Sequence, residues 1–101
     1  MDLSAMKQAM ELRSKLEKIK KELSKMTVEA DSGRGAVTVV ASGDQKIVSI
    51  KIVPESVNPV KIGDLEKLVL KATNDALEKS LKMAASEMKN LTGDLNFPGL
   101  T

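Results

Sequence analysis

The chain has no cysteine and no histidine, and Phe97 is its one aromatic residue among 101. Without cysteine there are no disulfides, no thiolate nucleophile and no thiolate zinc site, a composition that suits a reducing cytoplasm. Without histidine the commonest general base and the commonest metal ligand are missing too. A single aromatic side chain leaves no stacking platform for single strands or unpaired bases. No apolar run approaches the ~18 residues of a membrane span, and Met1 to Ala9 lacks the apolar core of a signal peptide. The net charge of +2 argues neither for nor against a polyanionic partner, so the distribution of charge has to decide. One domain is expected at this length. Its core is small enough that dimerisation is a natural way to enlarge it.

What is present is organised around Thr27 to Pro54, three short β-rich runs separated by two glycine turns. The expected strands are Val28 to Asp31, Ala36 to Ala41 and Lys46 to Val53, each alternating with period two. Ser32-Gly33-Arg34-Gly35 and Ser42-Gly43-Asp44-Gln45 are the turns between them. Loops this short predict an antiparallel meander with one strongly apolar face. A sheet of three short strands does not stand alone in water, so the flanking helices must cover it.

In the first helix, expected from about Asp2 to Met26, small and apolar residues fall at Ala5, Ala9, Leu12, Leu16, Ile19, Leu23 and Met26. Gaps alternating four and three make a heptad seam. At ~1.5 Å per residue such a helix is ~37 Å long, more than three short strands need, so part of it projects or meets another helix. A second helix is expected from an Asp64 N-cap to about Thr92, stopped by Gly93. Leu65, Leu68, Val69, Ala72 and Ala76 form a wide stripe for the sheet. Leu77, Leu81, Ala84, Met88 and Leu91 continue in a four-three rhythm suited to the first helix's seam, in the same or a second subunit. Asn74 falls where that rhythm, extended backwards, calls for a core residue; it either fixes register or pairing, as polar residues do in helical seams, or bonds locally beside Asp75. The expected organisation is one domain over residues 1–93 and a loose tail over 94–101. The fold class is α+β, with order α-β-β-β-α.

Candidate chemistry is sparse. Gly33-x-Gly35 lacks the third glycine and the following helix of a phosphate-cradling loop, and reads as a hairpin turn. Glu29 with Asp31, and Glu78 with Glu87, read as solvated carboxylates. No nucleophile, base and orienting group come together, so no enzyme, cofactor, metal or small-molecule substrate is expected. One charge pattern stands out. In the first helix Lys7, Arg13, Lys15, Lys18, Lys20, Lys21 and Lys25 face only Asp2, Glu11, Glu17 and Glu22. On the heptad, Met6, Arg13 and Lys20 share one register and Lys7, Ser14 and Lys21 the next, a double stripe without a carboxylate. An ordinary solvated helix with supporting pairs such as Glu11–Lys15 is the stronger reading of that pattern alone. A phosphate-binding stripe is the second. A membrane-surface helix comes third, because the apolar side is rich in Ala and Met and lacks aromatic anchors.

The order of elements and several short motifs resemble the YbaB/EbfC family of small bacterial nucleoid-associated proteins over nearly the whole chain. They are Met-Lys-Gln-Ala at Met6 to Ala9, Ser-Gly-x-Gly-x-Val at Ser32 to Val37, and Ile-x-Ile-x-Pro at Ile50 to Pro54. To these are added Leu-Glu-x-Leu-Val at Leu65 to Val69, Asn74-Asp75-Ala76, and Pro-Gly-Leu at Pro98 to Leu100. Each motif is short; the specificity lies in their order and spacing. The resemblance implies a homodimer with projecting helical arms that binds double-stranded DNA in the cytoplasmic nucleoid without catalysis. The family offers no sharp DNA-reading motif, so the arms are carried over as a region and the residues follow from charge. Lys7, Arg13, Lys20 and Lys21 come first, then Lys18 and Lys25, then Lys79, Lys82 and Lys89 on the far half of the second helix. The competing expectation is a protein-binding adaptor or chaperone-like dimer that clasps partner helices, with Met6, Met10, Met83 and Met88 as adaptable contacts.

Overall fold

A computed structural model describes residues 2–95, with side chains described for residues 2–90. The elements are α1 (Leu3–Lys25), β1 (Thr27–Ser32), β2 (Val37–Ser42), β3 (Ile47–Ile52) and α2 (Ile62–Leu95). The strands form one antiparallel sheet in the order β1-β2-β3. The α+β class, the order of elements and the meander are those the sequence predicts.

Local chemistry sets the ends. Asp2 caps α1, its side chain accepting from the Ser4 N–H at 3.1 Å. That satisfies one of the N–H groups a helix N-terminus leaves open. In the first turn between strands, Gly33, Arg34 and Gly35 all have positive φ, 62°, 56° and 85°. Two of the three are glycines, for which that conformation carries no Cβ penalty. Between β3 and α2 the chain makes two 3-10 turns, Pro54–Ser56 and Pro59–Lys61. α2 begins at Ile62, two residues before the expected Asp64 cap. At its other end it continues through Gly93 to Leu95, since one glycine weakens a helix without having to end it. Of the expected tail, residues 96–101 lie outside the described residues.

The core is the layer between the sheet and the first half of α2. Val37, Val39, Ala41, Ala72 and Ala76 have no exposed surface, and Val28, Leu65, Leu68 and Val69 pack around them. The small alanines let the helix lie close on the strands. Buried serines join the layers: Ser32 Oγ donates to the Leu68 carbonyl at 2.6 Å and Ser80 Oγ to the Ser42 carbonyl at 2.6 Å. No buried side-chain polar atom among the described residues lacks a partner, as a small core requires.

The cover is incomplete. α2 lies over β1 and β2, whereas every residue of β3 is exposed. The alternation expected of β3, with Val48, Ile50 and Ile52 opposite Ile47, holds from Ser49 to Ile52; the shift at Val40/Ala41 sets Ile47 against Ala41 instead, and one helix does not span three strands. Asn74 also departs from expectation. It is exposed, while Ala72 and Ala76 on either side take the core positions.

Two contacts fix where the helices leave the sheet. The Gly43 N–H donates to the Leu23 carbonyl at 2.9 Å, and Ser80 is tied to Ser42 next to it. Leu23 and Ser80 therefore lie at one level, from which α2 runs outward beside α1. Leu12, Leu16 and Ile19 are half-buried along this pairing and Leu23 is buried. From Ser80, α2 extends roughly 22 Å to Leu95, while α1 extends roughly 30 Å from Leu23 back to Leu3. The first turns of α1 thus outreach the described part of α2, and the seam residue Ala5 is exposed there; Ala9, near the level of Leu95, is exposed too. The molecule measures 67 × 22 × 18 Å, and its 19.3 Å radius of gyration far exceeds the ~13 Å of a compact chain this long. It is a small α/β body with a two-helix arm.

Candidate nucleic-acid interface

The arm carries the charge asymmetry. Residues 2–25 hold seven Lys or Arg against four Asp or Glu, an excess of three. Residues 62–95 hold five against six, and the strands and turns between are balanced at four each. The +2 of the whole chain is therefore a strongly unequal distribution, with α1 as its positive pole.

The helical repeat distributes these side chains in a definite way. With Leu12, Leu16, Ile19 and Leu23 turned to α2, a rotation of 100° per residue places Lys7, Lys18, Lys21 and Lys25 on the opposite, outward face. Arg13 stands at its edge, Glu17 lies on it, and Lys20 lies closer to the seam. All six cations are exposed. Arg13 leans on Glu17, with Nε 3.6 Å from Oε1 and both side chains largely in water. Such an exposed i,i+4 pair holds the guanidinium loosely and yields readily to a phosphate. Lys25 lies in the last turn of α1, where its charge also suits the helix dipole.

The cations chosen on α2 stand differently. Lys79 Nζ donates to the Glu29 main-chain carbonyl at 2.8 Å, against the edge strand β1. A lysine there occupies an acceptor that an added strand would use, a known way of blunting a sheet edge. Lys82 pairs with Glu78 at 3.5 Å. Both line a shallow cleft with Ala30, Asp31, Asp75 and Glu78, whose carboxylates oppose phosphate there. Lys89 is exposed further along the arm. The structure thus gathers Lys7, Lys18, Lys21 and Lys25 on one open surface with Arg13 at its edge, sets Lys20 nearer the seam, and leaves Lys79 and Lys82 beside acidic groups.

Sequence reasoning missed a second surface. Paired with Val37 and Val39, Ile52 and Ile50 share the core face of the sheet, yet they are 36% and 48% exposed. Ile47, opposite Ala41 past a bulge, joins them. Leu70 and Leu81 are exposed as well, on the side of α2 turned away from its buried alanines, and a largely apolar hollow of about 390 Å³ opens among Leu65, Glu66, Val69, Leu70 and Thr73. The rhythm Leu77, Leu81, Ala84, Met88, expected to meet the first helix's seam in the same or a second subunit, is divided in this subunit: Leu77 and Ala84 are half-buried, while Leu81 and Met88 are exposed.

Among the described residues no helix is long and apolar enough to cross a membrane, and no cluster of acidic side chains is arranged to hold a metal ion. The YbaB/EbfC DNA-binding family model matches residues 2–95. A nucleoid-associated protein of Desulforamulus reducens is 48% identical over 95 residues, covering 94% of this chain and 90% of the relative. One from Clostridium kluyveri is 47% identical, with 94% and 83% covered. In three dimensions the chain is similar to the crystal structure of a protein from Helicobacter pylori, with a TM-score of 0.70 over 96% of this chain and 99% of that one. At 18% identity that likeness speaks for the fold alone.

Proposed function

Because the chain belongs to the YbaB/EbfC DNA-binding family, we propose that it is a nucleoid-associated protein that grips double-stranded DNA as a homodimer. The observation that carries the reading is the excess of positive charge on α1, where Lys7, Lys18, Lys21 and Lys25 are exposed on the outward face, Arg13 at its edge and Lys20 nearer the seam. Neutralising phosphates releases condensed counterions, which supplies affinity without reading sequence. The outward face of α1 sets no Asn or Gln beside Arg13 at a base-reading spacing, so sequence preference is weak. Lys79, Lys82 and Lys89 contribute less, and the reading needs no cofactor, metal or small-molecule substrate. A nucleoid protein of this kind works in the cytoplasm, on the chromosome.

The dimer is part of the proposal. The strip of Ile47, Ile50 and Ile52 is the apolar surface a second copy would cover, completing the layer that α2 leaves open over β3. A two-fold relation would then set two arms on one duplex, so that each arm needs to bind only weakly. Ile50→Asp puts a charge in the middle of this strip and is expected to weaken self-association at least tenfold, for roughly 1.4 kcal/mol or more. Sedimentation equilibrium reads it directly; an unchanged dimer constant would place the interface elsewhere.

The central test is fluorescence anisotropy of a labelled random-sequence duplex at several salt concentrations. A log–log slope of about −3 to −6 is expected, at ~0.9 per phosphate neutralised. A flat slope, or no binding at low salt, would reject DNA in favour of the helix-clasping dimer. That second reading draws on Met6, Met10 and Met88, which are exposed, and Met83, which is half-buried.

A further inference from the structure

The chain has no cysteine, histidine, tryptophan or tyrosine, so its six methionines are the side chains a mild oxidant attacks first. The five whose side chains are described all belong to the arm or its root, and they fall into two classes. Met6, Met10 and Met88 are exposed along it. Met26 and Met83 are half-buried where the arm leaves the sheet. Met26 ends the α1 seam and is the C-cap of the helix. Its N–H donates to the Glu22 and Leu23 carbonyls at 3.2 Å, and its carbonyl accepts from the Gly43 N–H at 2.9 Å. Met83 lies three residues past Ser80 and roughly 20° from the direction of the buried Ala76. At that level β2 has ended, and α1 is the element that runs beside α2.

We infer that Met26 and Met83 form a peroxide-sensitive latch at the root of the arm, and that their conversion to sulfoxides releases α1 from α2 and the sheet. In each step the thioether sulfur attacks one oxygen of hydrogen peroxide and the O–O bond breaks. The leaving hydroxide takes the proton of the transferred oxygen and becomes water, so sulfur is oxidised by two electrons and peroxide reduced by two. The sulfoxide is polar and chiral, and it disrupts an apolar contact that the flexible thioether fills. α1 has a single buried side chain, Leu23, so few apolar contacts replace those lost at Met26 and Met83. Met6, Met10 and Met88 already stand in water, and their oxidation leaves the helix pairing intact. The release of the arm needs no ligand. Its consequence, that the basic face of α1 is no longer held for a duplex, rests on the DNA-binding reading.

The experiment treats the protein with graded hydrogen peroxide, assigns each sulfoxide by peptide mass mapping, and follows the thermal midpoint and duplex anisotropy. Sulfoxides at Met6, Met10 and Met88 should form first and move the midpoint by no more than roughly 2–4 °C. Those at Met26 and Met83 should lower it by on the order of 4–8 °C or more. Duplex affinity should then fall about tenfold or more, as an arm is lost from a two-armed grip. Met26→Leu/Met83→Leu is a swap of nearly equal volume that keeps the fold, and it should abolish the response. Met6→Leu/Met10→Leu/Met88→Leu should keep it. Methionine sulfoxide reductases should restore the midpoint, which separates a reversible latch from general damage. A midpoint that survives full conversion of Met26 and Met83 overturns the inference. So does a leucine pair that responds as wild type does, or a midpoint that stays low once the sulfoxides are reduced. A wild type whose midpoint responds but which binds no duplex before treatment keeps the latch and removes the DNA reading.

Discussion

Gly43→Ala is expected to lower the unfolding free energy by about 2–4 kcal/mol, from overpacking combined with a damaged hydrogen bond. A Cβ at this position would stand 2.7 Å from the Leu23 carbonyl oxygen and 2.9 Å from Leu23 Cδ2. The closest of these is main chain, which cannot swing aside. The same glycine's N–H donates to both the Leu23 and Met26 carbonyls at 2.9 Å, so the shift that relieves the clash also stretches the bonds tying the end of α1 to the sheet. For a domain of about 100 residues the midpoint should fall by on the order of 10–20 °C, readable from helical circular dichroism. Gly63→Ala is the control. Nothing lies within 4 Å of its added Cβ and it sits in the first turn of α2, so it should be neutral or mildly stabilising. Equal midpoints for the two variants would mean that α1 is not anchored at this contact. Because α1 carries the basic face, Gly43→Ala should also weaken duplex binding while leaving every cation in place.

Arg13→Gln/Lys20→Gln/Lys21→Gln is expected to reduce the salt slope of duplex binding by about 3 or more, since each lost phosphate contact removes ~0.9. Affinity at low salt should fall at least a hundredfold, and the loss should be uniform over duplex sequences because phosphate contacts carry no base information. Stability should hardly change. The three side chains lie in water, and the exposed Arg13–Glu17 pair has little to lose. Lys79→Gln/Lys82→Gln gives the contrast. Lys79 is occupied at the Glu29 carbonyl and Lys82 at Glu78, so their removal should shift the slope by less than 1 and loosen β1 instead. If the α2 pair mattered more than the α1 triple, the contact face would have to move to the acidic cleft side of the arm.

How much was legible follows from the range of the interactions involved. Strands and turns were readable to within a residue or two, because alternation in Val37 to Ala41 and the glycines at 33, 35 and 43 are local signals. The α1 seam was readable for the same reason from Leu12 to Met26. It overran at Ala5 and Ala9, which are exposed, Ala5 beyond the described end of the partner helix and Ala9 level with that end. Asn74 was misplaced because a four-three rhythm says that residues share a face, not which neighbour that face meets. The strip on β3 was misread likewise: Ile50 and Ile52 look like core, and they become surface when α2 lies over the other two strands.

By itself, then, the sequence determined the elements, their order, the α+β class, the absence of thiol and imidazole chemistry, and the basic bias of the first helix. All of these are properties of composition or of contacts within a few residues along the chain. Which lysines are open and which are held, where α1 is tied down, and which apolar residues are left for a partner were decided by tertiary structure alone. Those outcomes depend on contacts between residues 20 to 50 positions apart, such as Leu23 with Gly43, Ser42 with Ser80 and Glu29 with Lys79. No local period encodes such distances; they exist once the helix has settled on the sheet.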